Sequence, residues 1–292
     1  MAFDVRRLEP FGIEVTGMSS RQLLDHSADC RVALDEYWVV IYRGLDISDD
    51  DLIVFTHLLG VPVIANIGDH RYPQIAVITD DPAMANPVLD AYISGDSLWH
   101  IDGAAHTVPY DITLLTARHV GEGFSAATEF ADAYIPYMTL PIGQRACLDK
   151  LRVVHSFAAA QLSANPHATQ AEQAAWARIP DAIHPLVWTR RDGRRSLLLG
   201  ATASRIVGLP DSKGQTMLDV LLEFVTRPEF VLRHRWCAGD LVIWDNAGMM
   251  HRCTLTEPNS PHTMLRTAIV GDTQALVDWT MATSHNPAGG IS

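Results

Sequence analysis

Three side chains in this sequence have the types and spacing of a metal site. Trp99-His100-Ile101-Asp102 puts an imidazole and a carboxylate two residues apart, on one face of an extended strand, where side chains alternate. One neutral nitrogen and one hard oxygen aimed at a common point make two ligands. The third is expected far downstream, and Asp245-Asn246-Ala247-Gly248-Met249-Met250-His251 offers it. Two histidines and a carboxylate on one side of an ion leave its other positions open, the arrangement of non-haem Fe(II) sites. With 13 histidines in the chain, His-x-Asp alone is a weak signal. Its context strengthens it: Gly239-Asp240 opens a strand that runs through Leu241-Val242-Ile243 into Trp244-Asp245-Asn246, and His251 follows within a turn or so.

The elements that must position these residues are mostly short strands. Alternation, or β-branched and aromatic content, predicts strands over 12–17, 37–42, 74–78, 97–102, 111–116 and 126–130. The series continues over 153–155, 186–189, 196–199, 230–234, 240–244 and 264–270, with a turn at Asp192-Gly193. Helices are expected over 21–36, capped by Ser19 or Ser20, and over 48–59, where Asp49, Asp50 and Asp51 complement the helix dipole. Further helices are expected from Asp132 onward, over 141–151 and over 213–225. The stretch 157–184 is rich in Ala and Gln and broken by Asn165-Pro166 and Ile179-Pro180. It reads as a partly helical lid insertion or as a plain surface excursion. Residues 285–292 read as a frayed tail. There is no βαβ alternation, no repeat and no linker. The chain therefore reads as one domain over 1–292, mainly β with peripheral helices, built as a sandwich or distorted barrel.

Bulk composition narrows the function. A chain of 292 residues with 48% hydrophobic and 19% charged residues can bury one large core. Twenty-two basic against 34 acidic side chains give a net charge of -12. That argues against nucleic acid or an anionic membrane as a partner and leaves a small-molecule substrate. Cys30, Cys147, Cys237 and Cys253 are scattered, with no C-x-x-C pair, so structural zinc and a disulfide framework are not expected. Met1 to Pro10 is charged, and no apolar run approaches the ~20 residues that span a bilayer. Cytoplasm is the default location.

Five pieces, taken in order, resemble the taurine dioxygenase family of Fe(II)- and 2-oxoglutarate-dependent oxygenases, which includes phenoxyalkanoate dioxygenases. They are Gly12-Ile13-Glu14-Val15-Thr16-Gly17, Trp99-His100-Ile101-Asp102, Thr128-Glu129-Phe130-Ala131-Asp132, the Gly239-to-His251 block, and an arginine strand ending Val270-Gly271-Asp272. The likeness runs from Gly12 to Asp272. It implies a double-stranded β-helix core, the jelly-roll or cupin-like fold. It implies Fe(II) on His100, Asp102 and His251, with 2-oxoglutarate and O2 consumed. The implied reaction is oxidation, usually hydroxylation, of an unactivated C–H bond in a small polar or anionic metabolite, releasing succinate and CO2. Relatives that halogenate replace the metal carboxylate with a small residue, so Asp102 disfavours halogenation. Homo-oligomers are common in the family.

The far carboxylate of 2-oxoglutarate calls for a cation, best met by the planar fork of an arginine. Arg266, fifteen positions past His251 (266 − 251), is the first choice, and Thr128 matches a family threonine that helps hold the cosubstrate. Two departures bear on this. His262 stands eleven positions past His251, where the family often has arginine, so Arg266 is expected to serve alone or with His262. Ala247 stands where an arginine commonly follows Trp-Asp-Asn. For the substrate, Asp96 matches a polar contact of the taurine enzyme, and His70 and Tyr72 lie in a loop that could approach the metal. A solvated loop residue is an equal expectation for each. His155 reads as structural, and Arg190, Arg191, Arg194 and Arg195 as a solvated hairpin turn. Two other functions stay open: a zinc hydrolase using the same ligands, and a non-catalytic barrel. Thr128 and Arg266 count against the first, and the complete ligand set against the second.

Overall fold

The computed structural model describes residues 3–65, 70–79, 95–121, 127–190, 192–254 and 262–271. The larger sheet contains β1 (Asp4–Arg7), β2 (Ile13–Thr16), β3 (Val39–Arg43), β4 (Ala76–Thr79), β5 (Ile112–Val120), β13 (Leu241–Asp245) and β15 (His262–Ala268). Its seven strands lie in the order β1-β2-β3-β13-β5-β15-β4. All its pairs are antiparallel except β2 with β3. The smaller sheet holds β6 (Ala127–Asp132) between β12 (Val231–Arg235) and β14 (Met249–Thr254).

Because β13 is central and covered on both faces, its sequence Leu-Val-Ile-Trp-Asp shows no polar alternation. Leu241 and Ile243 enter the core beneath the N-terminal helices, while Val242 and Trp244 enter the core between the sheets. β3 divides in the same way, with Val40 and Tyr42 on one side and Val39 and Ile41 on the other. Phe130, Leu232 and Met249 complete the inter-sheet core from the smaller sheet. Each large apolar side chain withdrawn from water there contributes roughly 1.5–3 kcal/mol.

Helices α1 (Ser20–Asp25), α2 (Ser27–Tyr37) and α3 (Asp49–Leu59) cover the outer face of the larger sheet through Leu23, Leu34, Leu52 and Phe55. The single helix expected over 21–36 is two, because His26 leaves helical geometry to end α1 and start α2. Trp38, left-handed at φ 68°, closes α2, so β3 begins at Val39 rather than at 37. α3 forms as expected with its three aspartates in the first turn, and Ser48 caps it by accepting the Asp51 N–H.

Behind the smaller sheet lie α4 (Tyr134–Thr139) and α5 (Ile142–Leu148), then β7 (Arg152–His155). The 157–184 stretch is partly helical: α6 (Phe157–Ala164) and α7 (Gln170–Trp176) precede β8 (Ala182–Pro185). The hairpin β9 (Val187–Thr189) and β10 (Arg195–Leu197), β11 (Ala203–Ile206) beside β7, and α8 (Asp211–Val225) complete this side. The architecture is mainly β with peripheral helices around a jelly-roll core. One expected strand does not form. Within 97–102, His100 makes a single bridge to His251 and Asp102 already begins a turn. The tail over 285–292 lies outside the described residues.

Candidate active site

His251 projects from β14, held in register by β6, where it faces Phe130. His100 reaches it by backbone: the N–H of each residue donates to the carbonyl of the other, both at 2.9 Å. In such a hydrogen-bonded antiparallel pair the two side chains leave the same face, and here the ring centroids are 4.1 Å apart. Asp102 follows on a tight turn. Gly103 has φ 70°, and a Cβ there would lie 2.6 Å from the Tyr110 ring, so the turn needs glycine. One donor atom each from His100, Asp102 and His251 lies within 4.8 Å of the others.

The surroundings set the state of these ligands. His100 Nδ1 donates to the Leu98 carbonyl at 2.8 Å, which turns Nε2 toward Asp102 and Asp96, 3.9 and 3.7 Å away. Burial, and then His100 beside it, push His251 down to about 3, so its imidazole is neutral. Burial alone would raise the Asp102 carboxyl, but Arg266, His251, His100 and the Thr113 hydroxyl hold it at about 2. Thr113 Oγ1 donates to Asp102 Oδ2 at 3.0 Å, and Arg266 Nη1 donates to Oδ1 at 3.0 Å. Asn246, fully buried, clamps the Asp102 backbone. Its Nδ2 donates to the Asp102 carbonyl at 2.7 Å, and its Oδ1 accepts the Asp102 N–H at 3.1 Å. Two imidazoles and a carboxylate suit Fe(II). The site opens into a cavity of about 550 Å³, lined by His100, Asp102 and Arg266 and by Phe157, Gln161 and Trp176 from the α6–α7 segment.

The sequence model of the taurine catabolism dioxygenase TauD, TfdA family matches residues 4–268. The chain belongs to this family. It is 32% identical over 232 residues to the alpha-ketoglutarate-dependent 2,4-dichlorophenoxyacetate dioxygenase of Cupriavidus pinatubonensis, covering 75% of this chain and 79% of the relative. It is 27% identical over 284 residues to the (S)-phenoxypropionate/alpha-ketoglutarate-dioxygenase of Sphingobium herbicidovorans, covering 93% and 96%. Among solved structures, AAD-2 in complex with Mn(II) and N-oxalylglycine superposes with a TM-score of 0.77 at 27% identity, covering 93% of this chain and 98% of that one.

In this TauD/TfdA-family chain the expected site residues are only partly brought together. Asp96 lines the cavity, with Oδ1 3.7 Å from His100 Nε2. Thr128 is buried on β6, and its hydroxyl accepts the Trp236 indole N–H at 2.9 Å. His262 starts β15 opposite Val120, on the inward side shared by Met264 and Arg266. His70 and Tyr72 do not join the site. They turn to the first turn of α3, His70 facing Asp49 at 3.1 Å and Tyr72 donating to Asp50 at 2.5 Å. Three acidic residues at a helix start compete for them better than the metal pocket does. His155 is structural as expected, fully buried with Nδ1 2.9 Å from the Thr202 hydroxyl. Arg190 is not a solvated turn residue. Only 12% of its side chain is exposed, and it pairs with Asp245 and, at 3.5 Å, Asp111. Arg191 lies outside the described residues. The roles of Asn246 and Thr113 are visible only in the structure, since the partners of Asn246 are backbone groups far away in sequence.

Proposed function

We propose that this family member is an Fe(II)- and 2-oxoglutarate-dependent dioxygenase that hydroxylates an unactivated C–H bond of a small polar or anionic metabolite. The observation that carries this reading is the convergence of His100, Asp102 and His251 donors within 4.8 Å, with Arg266 beside Asp102 and with His100, Asp102 and Arg266 on the cavity wall. His100, Asp102 and His251 would hold the iron. When bound, iron and the 2-oxo acid activate O2, so that one oxygen atom goes to succinate, one to the substrate, and C1 leaves as CO2.

The chain's own residues do the rest. Arg266 offsets negative charge beside Asp102, and Thr113 and Asn246 keep that carboxylate aimed. Thr128, Arg266 and His262 are our candidates for contacts with 2-oxoglutarate. Apolar wall residues such as Phe157 and Trp176 keep water away, while Asp96 and Gln161 offer polar contacts that orient a substrate. Binding of small molecules rather than nucleic acid or an anionic membrane is supported by the net charge of -12. A cytoplasmic location is supported by four free cysteines. We further propose one domain over 1–292, with the α6–α7 segment acting as a lid, and self-association into a homo-oligomer.

Anaerobic titration with Fe(II) and then 2-oxoglutarate tests the reading. A weak visible charge-transfer band is expected on adding the 2-oxo acid, and Asp102→Ala should abolish it. No band, with tight Zn(II) binding and hydrolytic activity instead, would replace the oxygenase with a hydrolase.

A further inference from the structure

The charge inventory around the site is short by one cation. A five-carbon 2-oxo diacid carries two carboxylates roughly 5 Å apart. The first, chelated with the keto oxygen, binds the same ion as Asp102 and so lies beside it. That is where the guanidinium of Arg266 already sits, 3.0 Å from Asp102 Oδ1. The second carboxylate has two places to go.

In the cavity, Arg266 is the only lysine or arginine among the described lining residues, and Asp96 and Glu172 add negative charge. Burial lowers His106, also on the cavity wall, below its ordinary value, so it supplies no cation at neutral pH. Between the sheets, the inward positions of β15 beyond Arg266 are Met264 and His262, and those of β6 are Phe130 and Thr128. None is a permanent cation. Neighbouring arginines are committed elsewhere. Arg252 pairs with Glu129 and stacks on Trp99, Arg118 with Asp49, and Arg43 with Glu14 and Asp240. The segments outside the described residues hold no lysine or arginine except Arg191. Its chain neighbours Arg190 and Asp192 pair with Asp111 and Arg194, in the β9–β10 hairpin.

We infer that this enzyme discriminates only weakly between 2-oxoglutarate and a 2-oxo acid of similar length with an uncharged tail. This rests on the dioxygenase reading above. 2-Oxoglutarate remains a cosubstrate, with a distal carboxylate held by neutral donors or by the shorter, weaker imidazole of His262. A fixed arginine at that end is worth about ten- to a hundredfold in affinity, and its absence removes that preference.

The test is anaerobic titration of the Fe(II)-loaded full chain with 2-oxoglutarate and, separately, with 2-oxohexanoate, each followed by the charge-transfer band. Dissociation constants within about tenfold of each other are expected. His262→Arg, placed on the inward face of β15, should then tighten 2-oxoglutarate by about tenfold or more while leaving 2-oxohexanoate unchanged. A native preference for 2-oxoglutarate of about a hundredfold or more would overturn the inference, and its loss in Arg266→Ala would show that Arg266 leaves Asp102 to hold the distal end. No band with either acid would instead overturn the dioxygenase reading itself. The native comparison decides even if the variant does not fold.

Discussion

Asn246 grips the Asp102 peptide from both sides, donating to its carbonyl at 2.7 Å and accepting its N–H at 3.1 Å, while also donating to the Tyr110 carbonyl at 3.1 Å. Three backbone groups therefore share one amide, and the Asp102 carbonyl has a second partner, the Tyr110 N–H at 3.4 Å. Asn246→Ala costs about 1–3 kcal/mol for each group that it leaves unpaired and that water cannot reach. It also frees the carboxylate to wander. Fe(II) affinity is expected to fall by about ten- to a hundredfold, as for other residues that orient metal ligands, and a competition titration with a coloured chelator reads it. Unchanged affinity would mean that Thr113 and Arg266 alone hold Asp102. His100, Asp102 and His251 were legible in the sequence because their chemistry is local to a short motif and a downstream block. Asn246 sits inside that block, yet its role was not legible. Its partners are backbone atoms 144 and 136 positions away, and main-chain groups leave no mark in side-chain identity.

The turn that carries Asp102 and the place of Arg190 in the expected β9–β10 hairpin both differ from expectation for the same reason: each is shaped by a distant partner. His-x-Asp alternation suggests a strand over 97–102, but one bridge to His251 and the left-handed Gly103 replace it. The run Arg190-Arg191-Asp192-Gly193-Arg194-Arg195 has the composition of a solvated turn. Arg190 instead passes inward to Asp245, whose side chain is only 2% exposed and which also accepts the Tyr134 hydroxyl at 2.6 Å. The pair thus ties the hairpin to the end of β13, next to Asn246. Arg190→Leu strands a buried carboxylate and should destabilise the fold by about 3–5 kcal/mol, whereas Arg190→Leu with Asp245→Asn should recover most of the loss. Chemical denaturation of the three proteins checks this; equal losses in the single and double variants would show that packing, not charge, is at stake. The regular elements were easier. β3, β13 and α3 fall within a residue or two of expectation because burial on both faces, or an Asp-rich first turn, is written in consecutive residues.

At the scale of the whole molecule, stability should depend on pH through Asp132, which is 1% exposed. Burial raises its carboxyl to about 7, against the N–H groups of Tyr134 and Ile135 and with Asp245 adding to the rise. A raised folded pKa means the native state holds a proton that the unfolded chain, at about 3.9, gives up. The contribution is complete below the unfolded value and is lost as pH climbs through about 7, at about 1.4 kcal/mol per unit of difference. Asp132→Asn keeps the acceptor for α4 and drops the charge. It should raise the melting temperature at pH 8 more than at pH 5, and an equal shift at both would refute the assignment. The bridge between His100 and His251 has a consequence for the life history of the protein. It closes a loop of 151 positions (251 − 100), a contact that forms late because its closure entropy must be met before it is rewarded. A chain still on the ribosome holds two ligands in an unformed turn and lacks the third until residue 251 has been made. Metal loading then follows synthesis. The ion that enters is chosen by what the cell offers a finished protein, since nitrogen and oxygen donors left to themselves bind copper and zinc more tightly than iron.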